Sequence, residues 1–407
     1  MSQTCIIIGA SHAAAQLAPS LRQEGWEGKI IVIGDEPYLP YHRPPLSKAF
    51  LAGDQTAEGL LIRKQPIYDK NDIEFKLGTR VESINRSHKN ITLTNGEVLS
   101  YDKLALCTGS RVRTVSLPGV ELEGIHYLRD ISDVEAIKGD VASGKSAVIV
   151  GGGYIGLETA ASLKKQGMNV TVLEMAPRVL ARVTAPELSE FYTRVHSDEG
   201  VTIKTGIAVS GFEGDGRVQR VACADGSSFD ADLVVIGVGI VPNVELAEAA
   251  GLTVENGVVV DEFARTNDPD IVAAGDVTNH PNDLYGIRLR LESVPNATDQ
   301  AKSAAASICG KDKVYRSLPW FWSDQYDLKL QIAGLSQGYD EVVIRGDKDA
   351  CRSFVAFYLK EGKLISADCV NRPQEFMISK KIISEGLPVD PARLADESIA
   401  PKELLAS

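Results

Sequence analysis

Short apolar runs alternate with helically spaced stretches over the first three quarters of the chain. Thr4–Ile8 is followed by a glycine, a helical pattern and a second apolar run, Lys29–Ile33. The same order recurs from Ala147–Val150 through a glycine cluster and a helix to Val170–Leu173. Apolar strands joined by helices are typical of parallel sheets. The pattern therefore predicts two β-α-β units, each a nucleotide-binding domain.

The pattern changes after Pro319, where apolar runs follow one another without intervening helices. A helical pattern over Arg372–Ser384 comes next, and then a tail punctuated by prolines. The predicted fold class is α/β, with two Rossmann-like domains and a C-terminal α+β domain. The predicted antiparallel strands of this last domain are Leu328–Gly334, Glu341–Ile344, Ser353–Leu359 and Lys363–Cys369.

Composition narrows the possible functions. The 43 basic and 55 acidic residues give a formal net charge of −12, which disfavours nucleic-acid binding. The longest apolar stretch, Leu233–Pro242, is far shorter than the ~20 residues that cross a bilayer, so we expect no membrane segment, and no signal peptide is evident. The six cysteines show no CxxC spacing, which favours a reducing, cytoplasmic setting with no disulfide framework and no metal site.

The strongest motif lies between the strand and the helix of the second unit. Gly151, Gly153 and Gly156 form a GxGxxG pattern, in which the glycines allow a tight turn, close approach of a pyrophosphate and close helix packing. Glu174 ends the next strand, 23 residues after Gly151, near the ~20-residue spacing of a ribose-binding acid. A carboxylate there repels a 2′-phosphate, so the sequence favours NADH over NADPH.

The first unit carries a degenerate version of this motif. Gly9 is present, but Ser11 and Ala14 stand where the second and third glycines belong. Either Asp35 or Glu36 is available for a ribose at the end of the next strand. The neighbouring His12 is interpreted as a loop residue or a phosphate donor, with no role in bond making.

Two further strand ends support a flavin in the first unit. One apolar strand breaks at Thr108-Gly109, and another ends at Gly275-Asp276. A carboxylate at such a position can accept a hydrogen bond from a hydroxyl of the flavin ribityl chain. Either strand end on its own would not indicate a flavin.

Together these motifs stand in the order typical of two-dinucleotide flavoproteins of the glutathione-reductase superfamily. Three segments, Arg43–Lys48, Leu291–Ala297 and Pro319–Gln325, resemble more specifically the oxygenase-coupled, NADH-dependent ferredoxin reductases. The resemblance covers essentially the whole chain. It implies an FAD-binding domain at 1–110 and 238–316, an NAD-binding domain at 111–237 and a C-terminal interface domain at 317–407.

The resemblance also implies which residues hold the cofactors. Those for FAD are Gly9, Ser11, His12, Ala13, Ala14, Asp35, Glu36, Arg43, Pro44, Lys48, Val81, Cys107, Thr108, Gly109, Arg129, Gly275, Asp276, Ser293, Val294 and Trp322. Those for NAD are Gly151, Gly152, Gly153, Tyr154, Ile155, Gly156, Glu158, Glu174, Val238, Gly239 and Glu292.

Four of these residues receive roles in electron transfer by the same resemblance. Lys48, paired with Glu158, is expected beside the flavin N5 edge, although such a pair can be purely architectural. Tyr154 is expected to gate the nicotinamide pocket, or else to pack on the sheet. Trp322 is expected near the exposed side of the flavin, or else in the core.

No cysteine lies between Glu36 and Lys103, where disulfide reductases of the superfamily carry theirs, so electrons must leave the flavin outward. The expected function is an NADH:ferredoxin reductase that feeds a [2Fe–2S] protein of an oxygenase system. The alternatives are a rubredoxin reductase, another NADH diaphorase, or an apoptosis-inducing-factor-like redox and interaction protein. We expect a monomer.

The net charge cannot attract an acidic ferredoxin, so docking requires a local basic patch. Lys302 follows the segment that resembles the family and is the preferred candidate. The complete set of basic candidates is Arg63, Lys64, Lys302, Lys380 and Lys381, the last two on the final predicted helix.

Overall fold

The computed structural model describes residues 3–405. The strands are β1 Thr4–Ile8, β2 Lys29–Ile33, β3 Ile73–Lys76, β4 Val81–Asn85, β5 Asn90–Leu93, β6 Val98–Ser100, β7 Lys103–Leu106, β8 Ser110–Val112, β9 Ile125–Tyr127, β10 Ser146–Val150, β11 Asn169–Glu174, β12 Thr202–Thr205, β13 Val209–Asp215, β14 Arg217–Cys223, β15 Ser228–Asp230, β16 Leu233–Ile236, β17 Ile240–Pro242, β18 Val258–Val259, β19 Ile271–Ala273, β20 Thr278–Asn282, β21 Ile287–Leu289, β22 Trp320–Gln325, β23 Leu328–Gly334, β24 Glu341–Arg345, β25 Phe354–Lys360 and β26 Lys363–Val370.

The helices are α1 His12–Glu24, α2 Gln65–Asp69, α3 Ile131–Asp140, α4 Tyr154–Lys165, α5 Pro186–Asp198, α6 Glu245–Ala249, α7 Val294–Ile308, α8 Pro373–Glu385 and α9 Pro391–Ala395. Within residues 3–405, every helix is too short or too polar to cross a lipid bilayer.

The chain divides into two compact units, each assembled from separate segments. The first unit comprises the residues up to His42 together with Glu58–Arg111 and Ile240–Pro319. The second comprises Arg43–Ala57, Val112–Gly239 and the residues from Trp320 onward. The three-domain division that the sequence predicts stays a prediction.

The first unit is built on a parallel sheet with the order β19-β7-β1-β2-β3. The side chains of β1 alternate, so that Cys5 and Ile7 pack against α1 and α7 while Ile6 and Ile8 face the opposite core. From β1 the chain first adds β2 and β3 on one side and later adds β7 and β19 on the other, so the strand order reverses beside β1. Ligands of open parallel sheets bind at such a point.

The second unit repeats this plan and adds an antiparallel sheet. Its parallel sheet has the order β12-β11-β10-β16-β9, with the reversal beside β10. The antiparallel sheet has the order β22-β23-β26-β25-β24 and carries α8. The carboxyl end of β10 is therefore the equivalent ligand position in this unit.

Two elements depart from the sequence analysis. Trp320–Gln325, assigned there to no element, forms the edge strand β22 and pairs with β23. The proline-punctuated tail contains α9, because Pro391 occupies the first turn and the Asp390 side chain accepts a 2.9 Å hydrogen bond from the Ala392 N–H. Lys380 and Lys381 therefore lie on α8, which is not the final helix.

Candidate functional site

Gly9 makes the tight turn after β1 in the first unit. It adopts φ +103°, and a Cβ there would lie 2.2 Å from the Cys107 carbonyl oxygen. The Gly9 N–H donates to the Ile33 carbonyl at 2.8 Å, and the Cys107 N–H donates to the Ile8 carbonyl at 2.7 Å. Only glycine fits this turn, which holds the start of α1 at the carboxyl edge of the sheet.

The three alanines after this turn, Ala13 to Ala15, lie on α1 and are buried. Ala14, which stands at the third glycine position of the motif, is 1 % exposed. The first unit therefore accommodates a methyl group where the motif usually has its third glycine. His12 begins α1, is 8 % exposed and lies with its ring centroid 5.7 Å from that of His42.

The strand end at Thr108-Gly109 is fixed by reciprocal hydrogen bonds with Asn243. The Thr108 hydroxyl donates to the Asn243 carbonyl at 2.8 Å, and the Asn243 amide donates to the Thr108 carbonyl at 2.8 Å. The Asn243 N–H donates to the Gly109 carbonyl at 2.9 Å. Asn243, just after β17, therefore fixes the backbone at this strand end.

A buried amide beside Gly275 tests whether the first unit fits FAD. Gln300 is fully buried, and its Oε1 accepts from the Gly275 N–H at 2.9 Å and from the Thr278 hydroxyl at 2.8 Å. Its Nε2 has no partner within residues 3–405. An orphaned buried donor beside Gly275-Asp276 fits a polar ligand such as the oxygens of FAD. Sequence reasoning missed Gln300, although it follows Ser293 by two turns of α7.

After the end of β2 and at the start of β4, the candidate residues differ in their surroundings. Asp35 is exposed, Val81 is buried, and Glu36 accepts a hydrogen bond from the Tyr41 hydroxyl. The nearby Ser293 caps α7 by accepting from the Asn296 N–H at 3.3 Å, and Val294 is the first residue of that helix.

Gly151 repeats the first turn in the second unit. It adopts φ +113°, and a Cβ there would lie 2.3 Å from the Gly237 carbonyl oxygen. A Cβ on Gly156 would lie 2.1 Å from the Gly151 carbonyl oxygen, so α4 begins in direct contact with the turn. Position 156 therefore requires glycine, whereas the equivalent position of the first unit holds Ala14.

Glu174 ties the end of β11 to this loop. Its Oε2 accepts from the Gly152 N–H at 2.6 Å, and its Oε1 accepts from the Ala176 N–H at 2.6 Å. Both oxygens are therefore fixed at the carboxyl edge of the sheet, where a ribose would bind.

An open cradle lies beside the start of α4. A Cβ on Gly153, the N-cap residue, would have no atom within 4 Å. A Cβ on Gly239 would meet only the Arg182 guanidinium, at 3.9 Å. Open space next to helix N–H groups, with a cation at its border, suits a pyrophosphate. These residues fit NAD(H), and Arg182 is a candidate that sequence reasoning missed.

Tyr154 points into the interior of the second unit. Its ring centroid lies 4.9 Å from that of Phe321, and its hydroxyl is buried with no partner within residues 3–405. Burial raises the pKa of Tyr154 well above its ordinary value. The structure thus places it in an aromatic contact, and the gating role stays a prediction. The next residue, Ile155, is exposed.

Lys48 and Glu158 form an ion pair in the second unit. The Lys48 Nζ lies 2.8 Å from the Glu158 Oε2, and Glu158 is 3 % exposed. The Ser47 hydroxyl donates to Glu158 Oε2 and the Ser323 hydroxyl donates to Glu158 Oε1, each at 2.6 Å. A carboxylate with three donors is a fully satisfied buried anion.

The family is decided by comparison with known proteins. The family model described as pyridine nucleotide-disulphide oxidoreductase matches residues 3–301, and the model described as reductase C-terminal matches residues 320–405. The chain belongs to the pyridine nucleotide-disulphide oxidoreductase family. This membership confirms the predicted fold class.

Several known members resemble the chain over nearly its whole length. Putidaredoxin reductase CamA of Pseudomonas putida is 45% identical, covering 99% of this chain and 96% of that protein. A rubredoxin-NAD(+) reductase of the same species is 37% identical, covering 91% and 96%. The structure of the covalent putidaredoxin reductase–putidaredoxin complex matches with a TM-score of 0.96 at 45% identity, covering 99% of this chain and 98% of that one. These matches confirm the predicted resemblance to ferredoxin reductases.

The candidate cofactor residues of this family member are distributed over both units. Most FAD candidates belong to the first unit and most NAD candidates to the second. The FAD candidates in the second unit are Arg43, Pro44, Lys48, Arg129 and Trp322, and the NAD candidate in the first unit is Glu292.

These residues have contacts within their own unit. The Arg43 guanidinium donates to the Arg129 carbonyl at 2.8 Å, and the ring centroids of Trp320 and Trp322 lie 5.6 Å apart. Glu292 pairs with Arg290 at 2.6 Å.

The basic docking candidates differ in how far their charge is free for a partner. Arg63 donates to the Ala15 carbonyl at 2.5 Å, and Lys302 pairs with Asp299 at 2.8 Å. Lys64 is strongly exposed and lies 3.9 Å from Glu58. Lys380 lies over the Trp320 ring at 4.9 Å, and its neighbour Lys381 is exposed.

Proposed function

We propose that the chain is an NADH-dependent ferredoxin reductase that passes single electrons to a [2Fe–2S] ferredoxin of an oxygenase system. The observation that carries the proposal is the repetition of one dinucleotide turn, at Gly9 in the first unit and at Gly151 in the second. Family membership makes the protein an oxidoreductase with FAD and NAD(H) as cofactors. FAD supplies the chemistry, because it accepts a hydride and releases electrons one at a time.

The first unit holds FAD. The Gly9 turn and the start of α1 receive its pyrophosphate, Asp35 its ribose, and Asp276 its ribityl chain. The Gln300 Nε2 supplies a donor beside Gly275. These assignments rest on the observed turn, on the orphaned amide and on the resemblance of the motifs.

The second unit holds NADH. The cradle at Gly153 and Gly239 receives the pyrophosphate, and Glu174 accepts hydrogen bonds from the ribose. Because its oxygens already accept from Gly152 and Ala176, Glu174 cannot swing aside for a 2′-phosphate without losing two charge-assisted hydrogen bonds. NADH is therefore preferred over NADPH.

By the family resemblance, Lys48 would lie beside the flavin and would stabilise negative charge when FAD is reduced. Its ammonium is fixed by Glu158 at 2.8 Å and by the Pro44 carbonyl at 3.2 Å. A fixed cation needs little reorganisation when charge develops nearby.

Cys107 takes no part in the chemistry, although it adjoins the Gly9 turn. Burial raises the pKa of its thiol to about 12. A thiol that stays protonated is a poor nucleophile, so it does not form the covalent adducts that disulfide reductases use. Electrons then leave toward a protein partner.

The partner is recognised by basic residues, chiefly Lys302 with Arg63, Lys64, Lys380 and Lys381. A putidaredoxin reductase of the same fold has been crystallised with putidaredoxin, which supports a ferredoxin partner. An oxygenase as final acceptor, a monomeric state and a cytoplasmic location belong to the same proposal.

Rubredoxin reductase is the second candidate, favoured by the 37% identical relative of that name. The apoptosis-inducing-factor-like alternative and the diaphorase alternative lack a comparable observation.

Anaerobic NADH oxidation should be measured with a putidaredoxin-type [2Fe–2S] ferredoxin, with a rubredoxin and with neither. Fast oxidation with the ferredoxin alone supports the proposal. Faster oxidation with rubredoxin favours the second candidate, and equal rates in all three overturn both.

A further inference from the structure

A continuous chain of buried side-chain hydrogen bonds runs away from Glu158 inside the second unit. The Ser323 hydroxyl donates to Glu158 Oε1 at 2.6 Å, and the Gln325 Nε2 donates to the Ser323 Oγ at 3.2 Å. The Gln325 Oε1 lies 2.8 Å from the His196 Nε2, and the His196 Nδ1 lies 3.0 Å from the Tyr326 hydroxyl. Ser323, Gln325 and His196 are each at most 2 % exposed.

The alternation of β22 creates this chain. Residues two apart in a strand share a face, so Phe321, Ser323 and Gln325 project together. Phe321 contacts Tyr154, and Ser323 contacts Glu158, one turn further along α4. Gln325 reaches His196 on α5. The side chains on one face of β22 thus connect the Lys48–Glu158 ion pair to α5.

Chemistry fixes the direction of every donor. An ionised carboxylate only accepts, so the single hydroxyl proton of Ser323 points to Glu158 and its Oγ accepts from the Gln325 amide. The Gln325 Oε1 then faces His196, which donates through Nε2–H. Neutral histidine accepts at Nδ1, so Tyr326 donates to it.

Burial lowers the pKa of His196, which favours this neutral form. All donors therefore point toward Glu158.

We propose that Ser323, Gln325 and His196 are positioning residues whose one-way donor chain ends on Glu158 and thereby sets how strongly Glu158 holds the Lys48 cation. Hydrogen bonds in such a chain polarise and strengthen one another. The chain is not a proton relay, because the amide of Gln325 does not exchange protons along a path. The inference rests on the function proposed for Lys48.

Loss of the His196 donor frees the Gln325 amide to rotate. Its carbonyl can then accept the Ser323 proton, and Glu158 loses one donor. The less stabilised carboxylate binds Lys48 more strongly, so the cation stabilises reduced FAD less. The midpoint potential of the bound flavin should therefore fall.

The test uses His196→Phe, which removes the donor, and His196→Gln, whose amide nitrogen can replace Nε2. In the FAD-loaded protein, His196→Phe should lower the flavin midpoint potential by about 30 mV, the equivalent of a tenfold change for a two-electron couple. His196→Gln should restore most of this shift. A purely structural role would affect unfolding in both variants and leave the potential unchanged.

Lys48→Met separates this inference from the proposed function. If Lys48→Met lowers the potential and His196→Phe does not, the donor chain has no positioning role. If Lys48→Met itself leaves the potential unchanged, the function proposed for the ion pair is overturned, and the positioning role with it.

A ¹⁵N spectrum of histidine-labelled protein gives a readout independent of flavin. The donor direction requires His196 in the Nε2–H tautomer, whose signals are assigned by their loss in His196→Gln. An Nδ1–H tautomer or a doubly protonated ring would overturn the inference. Should His196→Phe fail to fold, the spectrum and a Tyr326→Phe variant, with a smaller potential shift in the same direction, provide the test.

Discussion

Gly153→Ala tests the proposed pyrophosphate cradle, because it should weaken NADH binding without lowering the stability of the fold. The residue has φ −80° and ψ 179°, an extended conformation that alanine adopts without strain, and its added Cβ would meet no atom within 4 Å. The thermal unfolding midpoint should therefore stay close to that of the wild type. The new methyl group nevertheless occupies the space that a pyrophosphate needs at the start of α4.

The expected loss follows from the hydrogen bonds at stake. Displacing the pyrophosphate from the helix N–H groups forfeits about one charge-assisted hydrogen bond, or roughly 1.5–3 kcal/mol. That corresponds to about a 10- to 150-fold weaker binding of NADH. Stopped-flow reduction of the flavin over a range of NADH concentrations measures this change, while reduction by dithionite should be unaffected.

Two other glycine-to-alanine variants serve as controls for Gly153→Ala. Gly139→Ala places a methyl group in open space on α3 and should leave NADH binding unchanged. Gly156→Ala places its Cβ 2.1 Å from the Gly151 carbonyl and should lose both stability and NADH binding. Wild-type NADH binding in Gly153→Ala would show that the pyrophosphate lies elsewhere.

Three further substitutions test the cofactor preference, the docking surface and a buried carboxyl group. Glu174→Gln should raise KM for NADH and relax the rejection of NADPH, as steady-state kinetics with both cofactors would show; a wild type that already prefers NADPH would contradict the assignment. Lys302→Glu, which also places a like charge beside Asp299, should slow electron transfer to ferredoxin and flatten its salt dependence while hydride transfer stays intact; stopped-flow measurement of both half-reactions decides this. Asp368 lies on β26 and is 1 % exposed, and burial raises its pKa to about 7, so the folded state holds a proton that the unfolded state releases near pH 4. The free energy of unfolding should therefore fall by up to about 4 kcal/mol between about pH 4 and pH 7 and level off above pH 7. Denaturant unfolding of Asp368→Asn should lack this slope, and an unchanged slope would refute the raised pKa.

The local motifs could be predicted from the sequence because their physics is local. The Gly151 turn needs glycine for its own φ and for a carbonyl 2.3 Å away, so spacing alone marks it. The same holds for Glu174, which ends a strand at a fixed distance from that turn. The Lys48–Glu158 pairing, 110 residues apart, came from family resemblance and not from spacing.

Contacts across long sequence separations could not be predicted. His196 and Gln325 are 129 positions apart, and although Gln325 ends a segment that resembles the family, His196 belongs to no motif. Consecutive aromatic residues at Trp320–Trp322 hide the two-residue period of β22, so the strand that aligns Ser323 and Gln325 has no clear pattern. The prolines of the C-terminal tail gave no indication of a helix, yet Pro391 begins α9 and Asp390 caps it.

In the proposed reaction, the two electrons of the NADH hydride leave the protein singly on a [2Fe–2S] ferredoxin. The most direct measurement is the anaerobic stoichiometry of NADH oxidised against putidaredoxin-type ferredoxin reduced, with the FAD-loaded protein in catalytic amount. We expect two ferredoxins to be reduced for each NADH, at a rate that depends on ferredoxin concentration. NADH oxidation that proceeds equally fast without ferredoxin, or that leaves the ferredoxin oxidised, would contradict it.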